Sequence, residues 1–185
     1  MTISRAKFTV DYPAKFMLVA SMNPCPCGYY NHPDKECVCA PGVVQRYLSK
    51  ISGPLMDRID LHVEVTPVSF NELSSDRPSE PSAALRERVI KAREIQAERF
   101  KDKEQVFCNA QMTANMARKV CILNQAGQML LKKAMEKLDL SARAYDRILK
   151  VARTVADLAG KDAIGIEHIA EAIQFRTLDR ENWAG

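Results

Sequence analysis

Four cysteines stand close together, Cys25 and Cys27 as C-P-C and Cys37 and Cys39 as C-V-C, with nine residues between the pairs. Thiolate sulfur is a preferred ligand of Zn²⁺, which takes four donors tetrahedrally, and a short loop can bring two pairs of thiols to one ion. The quartet therefore reads as a four-thiolate clasp, although one intervening residue is tighter than the common zinc-finger spacing. His32, in the middle of the loop, could replace one sulfur if the geometry favoured nitrogen. A closed four-ligand set leaves no position for water, so such an ion would be structural and not catalytic. The alternative is a set of inert thiols in a loop. The remaining cysteines, Cys108 and Cys121, lie apart in helical-looking sequence, and the chain also has eight methionines. That fits an intracellular metal site better than a secreted disulfide framework.

Three further residues could do chemistry on phosphate. Asn23 follows the apolar run Phe16 to Met22 and precedes Pro24. In open α/β sheets, ligands bind beyond the carboxyl ends of strands, so a polar residue there faces a ligand or simply turns a loop. Arg58 sits among Leu55, Met56 and Ile59, an apolar setting for a permanent cation. Its planar fork suits phosphate or carboxylate, and spacing alone favours a pair with Asp57 or Asp60. Arg143 falls in the first turn of a helix, where the helix dipole disfavours a cation unless an anion is present. Arg147, Lys150 and Arg153 continue a basic series, for the last two of which a solvated surface is expected.

The elements that must hold these residues follow from periodicity. Thr2 to Phe16 carries short alternating runs and Pro13, compatible with a hairpin. Phe16 to Met22 is almost continuously apolar, as in a strand buried on both faces of a parallel sheet. Gly42 to Ile51 reads as a helix stopped by Ser52, Gly53 and Pro54, and Ile59 to Val65 alternates like a strand with one covered face. Pro and Ser gather between Thr66 and Ser82, with Ser69 and Glu72 spaced as a capping box. Helices are expected at Ala83–Phe100, Met112–Val120, Ala126–Leu138, Ser141 (as N-cap) to Ala159 with Gly160 closing it, and Ile166–Phe175. The organisation is thus an α/β segment over residues 1–66, a linker over 67–82 and an all-α bundle over 83–185.

With 185 residues and 46% hydrophobic content, the chain can bury a real core. A net charge of +4 permits contact with phosphates without requiring nucleic acid. No apolar run long enough to span a membrane and no signal peptide is seen, so the expected location is cytoplasmic. The sequence contains no G-x-x-x-x-G-K-[ST] loop, no apolar strand ending in paired acids and no G-x-G-x-x-G. Its three histidines, His32, His62 and His168, form no evident nucleophilic triad.

The order F-M-L-V-A-S-M-N-P, R-Y-L-S-K-I-S-G-P-L-M-D-R-I-D-L and S-A-R-A-Y-D-R-I-L-K-V-A-R-T-V-A-D-L resembles the magnesium-chelatase-like AAA+ ATPases, and among them the YifB/ComM group. The resemblance covers nearly the whole chain. It implies the α/β end of an AAA+ core, with sensor 1 strand, zinc-type loop and arginine-finger strand, followed by a helical lid. It makes Asn23 the sensor 1 residue that orients the attacking water. Arg58 becomes the arginine finger reaching a neighbouring subunit's nucleotide, and Arg143 the sensor 2 arginine that touches nucleotide phosphates on its own subunit. Phosphate loop and Mg²⁺-binding acids precede the sensor 1 strand in such proteins, so the chain reads as a C-terminal piece and Met1 need not be the native start. Alone it is expected to be inactive. ATP and Mg²⁺ would belong to the parent, a hexameric ring moving on DNA, with branch migration as the group implies and no membrane partner. Two other functions compete with that motor. One is a magnesium chelatase subunit driving Mg²⁺ into a porphyrin, against which the cysteine loop counts, because genuine chelatase motors resemble this chain with only a short connection there. The other is a zinc-stabilised module that holds nucleic acid without catalysis.

Overall fold

The computed structural model describes residues 1–14, 16–68, 74 and 79–176, and the chain divides into two compact units, Met1–Val44 and Gln45–Gly185. In the first unit, β1 (Thr2–Arg5) and β2 (Phe8–Asp11) form the expected hairpin, in antiparallel register from Thr2↔Asp11 to Arg5↔Phe8. Polar cross-strand pairs support it. Thr2 donates its hydroxyl to Asp11, and the hydroxyls of Ser4 and Thr9 lie 2.9 Å apart. The hairpin is closed at its open end by reciprocal bonds between the Met1 and Tyr12 backbones.

The buried strand expected at Phe16 to Met22 is not formed: the segment has no ladder partner among the described residues, and its apolar side chains are exposed, Met17 to 88% and Val19 to 83%. A strand buried on both faces needs a neighbour on each edge and a layer on each side. The described residues of this unit supply neither. The alternating strand expected at Ile59 to Val65 is likewise absent. There the stretch has no ladder partner among the described residues, and neither side of the alternation is covered: Leu61, Val63 and Val65 are exposed, as are Asp60 and Glu64, and only His62 is buried.

The second unit is a helical bundle. The short helix α1 (Val43–Leu48) crosses the division between units, and α2 (Gly53–Met56) starts on Pro54 in its first turn, where a missing N–H costs nothing. Then come α3 (Ser82–Phe100), a 3₁₀ turn (Asn109–Gln111), α4 (Ala114–Val120), α5 (Gln125–Lys137), α6 (Ala142–Leu158) and α7 (Ile166–Gln174). Side-chain caps start α4, α5 and α6: Thr113 accepts from Met116 N–H, Asn124 from Gly127 and Ser141 from Ala144. Gly160, at φ +64°, ends α6 in the left-handed conformation that favours glycine.

Helix α6 is the centre of the core. Ala144, Ile148, Leu149, Ala152 and Ala156 recur at helical spacing, all buried, against Phe100 of α3, Leu131 of α5 and Ile169 and Ala172 of α7. Ala144, Ala152 and Ala156 let the neighbouring helices approach closely while Ile148 and Leu149 fill the space between. The first half of α3 does not share this core, since Leu85 and Val89 are exposed and burial begins at Ala92. The capping box expected at Ser69 and Glu72 lies outside the described residues.

Candidate functional site

In the first unit the two cysteine pairs converge. Cys25 Sγ lies 3.3 Å from Cys27 Sγ and 3.7 Å from Cys37 Sγ, Cys27 and Cys37 are 3.5 Å apart, and all four sulfurs, with Cys39, fall within 4.8 Å of one another. Four sulfurs around one zinc at 2.3 Å would stand about 3.8 Å apart, so the donor set has the size and chemistry of a tetrahedral thiolate site. The chain turns back on itself after Cys27 through Gly28, whose φ of +83° a side chain would strain, and the Gly28 N–H bonds the Cys25 carbonyl at 3.0 Å. The Tyr30 N–H points at Cys25 Sγ from 3.3 Å. His32 is turned to local work: its Nδ1 accepts from the Asp34 N–H at 3.1 Å, and its ring meets the edge of Tyr29.

The electrostatics of the quartet are those of charges sharing a small space. A hydrogen bond from the Tyr29 N–H holds the Cys27 thiol down at about 6. Burial resists ionisation of Cys25, yet the Tyr30 N–H and the sulfurs of Cys37 and Cys39 draw it below the ordinary thiol value. Although the Cys39 N–H favours its thiolate, desolvation and the bonds shared with Cys27 and Cys25 push Cys37 up to about 12. Cys39 is also raised, its bond from Cys27 backbone being outweighed by burial and neighbouring sulfur. Two thiols are drawn below the ordinary thiol value and two held above it, because the hydrogen bonds the sulfurs share favour charge on some at the expense of the others. A divalent cation removes that competition. The cluster can hold a metal.

Asn23 is exposed, two residues before Cys25, in the same unit. In the second unit, the stretch Pro54–His62 is fastened to the start of α6 and the end of α7. Ser141, the N-cap of α6, donates to Asp57 Oδ1 at 2.7 Å, while Arg143 Nη1 stands 3.9 Å from Asp57 Oδ2 and Arg176 Nη2 3.8 Å from Oδ1. Arg147 pairs with Asp60, Arg176 donates to the Ile59 carbonyl, and the His62 N–H bonds the Phe175 carbonyl at 2.9 Å. Both carboxylates that flank Arg58 thus turn to arginines more than eighty residues away in sequence. The pair of Arg58 with Asp57 or Asp60 that spacing favours is not made. Arg58 is exposed and donates to the Pro54 carbonyl at 2.8 Å, and no carboxylate among the described residues pairs with it. The segment carrying Arg58 and the helix start carrying Arg143 are brought together through Asp57.

Arg153, expected on a solvated face, is instead 3% exposed. Its Nε bonds Asp157 Oδ1 at 3.0 Å, and its other nitrogens reach the carbonyls of Lys161 and Asp162. Asp157, 2% exposed, also receives Arg99 at 2.5 and 2.7 Å and Asn109 Nδ2 at 2.7 Å. Burial would raise its pKa, but Arg99, Asn109 and Arg153 together hold it below the usual carboxylate range. This network ties α3, the 3₁₀ turn and α6, and is structural. Lys150 reaches the Ala110 carbonyl at 3.3 Å from a half-buried position.

Known proteins share sequence with both halves of the chain. The family described as magnesium chelatase, subunit ChlI, matches residues 1–73, and its C-terminal counterpart matches residues 79–176. The competence protein ComM of Haemophilus influenzae is 43% identical over 180 residues, covering 96% of this chain and 34% of that protein. The uncharacterized protein YifB of Escherichia coli is 40% identical over 179 residues, with the same coverage of each. The chain spans about a third of the length of these relatives. No helix among the described residues is long and apolar enough to cross a membrane. Matched in both halves, the chain belongs to the magnesium-chelatase-like AAA+ family.

Proposed function

We propose that this chain is the C-terminal part of a ring-forming ATPase that works on DNA, and that it contributes three phosphate-directed residues. Asn23 orients the attacking water, Arg58 reaches into the neighbouring subunit's nucleotide site, and Arg143 touches nucleotide phosphates from the lid formed by the helical bundle. Transfer of a phosphoryl group needs positioning and charge stabilisation more than covalent help, and a guanidinium near the γ-phosphate supplies the second. The observation that carries the reading is that Arg58, whose guanidinium donates to the Pro54 carbonyl, has no acidic partner among the described residues. Its two acidic neighbours are diverted to Arg143, Arg176 and Arg147, leaving an exposed cation with no carboxylate partner among the described residues. The ring is a hexamer in this reading, ATP and Mg²⁺ bind residues of the parent outside this chain, and the cysteine clasp holds Zn²⁺ as a structural ion. Relatedness to a competence protein favours DNA as the substrate, and branch migration is the work that the resemblance to the YifB/ComM group implies.

The test uses the full-length parent. Replacing Arg58 with alanine should lower ATP turnover by about 10³–10⁵ and abolish migration of a synthetic four-way junction, with the fold retained. Replacing Arg143 with alanine should lower both. Unchanged turnover in the folded Arg58→Ala protein would sink the assignment. A second reading has the family description behind it: a motor that drives Mg²⁺ into a porphyrin. Magnesium insertion into a porphyrin without junction migration would select it.

A further inference from the structure

The carboxylate of Asp57 stands where an anion is wanted. Helix α6 is seventeen residues long, and its N-terminus carries the partial positive charge of aligned peptide dipoles. Ser141 caps that end and presents its hydroxyl hydrogen outward, Arg143 follows in the first turn, and Arg176 comes in from the end of α7. These groups surround the two oxygens of one carboxylate: Oδ1 takes the Ser141 hydroxyl at 2.7 Å and faces Arg176 at 3.8 Å, and Oδ2 faces Arg143 at 3.9 Å. A hydroxyl, a helix start and two guanidinium groups are the donors that bind phosphate elsewhere. Here they hold an acid of the chain itself.

We propose that Asp57 is an internal stand-in for a phosphate, holding Arg143 until a polyphosphate displaces it, so that nucleotide arrival loosens the segment that carries Arg58. This rests on the reading of Arg143 as a phosphate contact and adds to it a regulatory consequence. The Arg143–Asp57 separation of 3.9 Å, with the Arg143 side chain 69% exposed, is a loose pair that a more highly charged anion can outcompete. Asp57 is the residue before Arg58, so its release acts directly on the backbone of the finger. The Arg147–Asp60 pair, the Arg176 bond to the Ile59 carbonyl and the His62–Phe175 backbone bond remain, which makes the movement a loosening about a fixed attachment.

The 185-residue chain and inorganic tripolyphosphate test this at low ionic strength. Adding tripolyphosphate should speed amide hydrogen exchange over residues 53–60 in the unmodified chain and have no such effect in Arg143→Ala. Asp57→Asn, which keeps an oxygen for Ser141 but removes the charge, should bind tripolyphosphate roughly fivefold or more tightly, the size of one partly exposed charge interaction with a polyanion. The gain should vanish in the Asp57→Asn, Arg143→Ala double variant. Unchanged exchange over residues 53–60 on saturation overturns the proposal whether or not Asp57→Asn folds. Equal or weaker affinity in a folded Asp57→Asn chain does the same. If Arg143→Ala leaves ATP turnover of the full-length protein intact, the role of Arg143 falls and this inference with it. If turnover is lost but exchange does not respond to tripolyphosphate, the inference alone falls.

Discussion

The two units of this chain are held together by different physics. The bundle around α6 buries a continuous apolar cluster from Phe100 to Ala172 and spans its helices with the Asp157 network. The unit Met1–Val44 has one hairpin, a bare apolar stretch from Phe16 to Met22 and a knot of four sulfurs. Isolated two-stranded hairpins are marginal in water, and a unit this small rarely supplies enough core. Packing thus defines the second unit, whereas the loop of the first converges on a sulfur cluster of the size a metal ion would need.

The largest expected effect follows from that. Stripping the metal with a strong chelator, or replacing Cys25 and Cys37 with serine, should collapse the amide spectrum of residues 23–44 toward random coil while the helical circular dichroism of the bundle persists. Structural zinc sites contribute about 10 kcal/mol or more in small domains, so the loss should be complete and not partial. One zinc per chain and four protected thiols in the untreated sample are expected. Four freely reactive thiols in a chain with a dispersed spectrum for residues 23–44 would show that the loop is ordered without a metal.

The converse experiment addresses the bundle. Asp157→Asn leaves Arg99 and Arg153 without their shared counter-charge, in a site where both Asp157 and Arg153 are almost fully buried. Breaking such a group by removing one partner costs about 3–5 kcal/mol, read as a lower urea midpoint for the helical signal with the cysteine loop unaffected. Acid sharpens the point. Because the folded pKa of Asp157 is depressed, its stabilising contribution is complete above the ordinary carboxylate pKa of about 3.9 and disappears as pH falls through the lower folded value. The acid limb of the wild-type stability curve should therefore be steeper than that of Asp157→Asn.

What the sequence disclosed divides along the same line between local and distant. The caps Ser141 and Gly160, the alanine-rich stripe of α6, the first hairpin and the cysteine quartet depend on neighbours within a few turns, and each is readable from spacing alone. Arg153 and Asp157 are four apart, the signature of a surface ion pair, and nothing local betrays that Arg99 and Asn109 bury them. Asp57 and Asp60 sit beside Arg58, yet their partners lie at Ser141, Arg143 and Arg147. The apolar run Phe16 to Met22 carries the pattern of a central strand, but a pattern cannot provide the adjoining strands that would cover it. Among the site residues, the sulfurs converge as spacing indicates. The diversion of the two acids from Arg58 follows only from tertiary contact.

The smallest effect separates the two units most finely. Ser141 does two things at once: its oxygen accepts the Ala144 N–H at 3.2 Å to start α6, and its hydrogen goes to Asp57 at 2.7 Å. Ser141→Ala removes both at an exposed position, and losing a helix cap costs about 1 kcal/mol. A threonine should restore most of it, since its hydroxyl can occupy the same place. Hydrogen exchange should quicken in the first turn of α6 and over residues 53–60, with no change in the hairpin or the cysteine loop. If the increase stays within α6, the cap alone matters and Asp57 is held by Arg143 and Arg176; if it spreads to residues 53–60, the serine is the joint through which the Arg58 segment is fixed to the bundle.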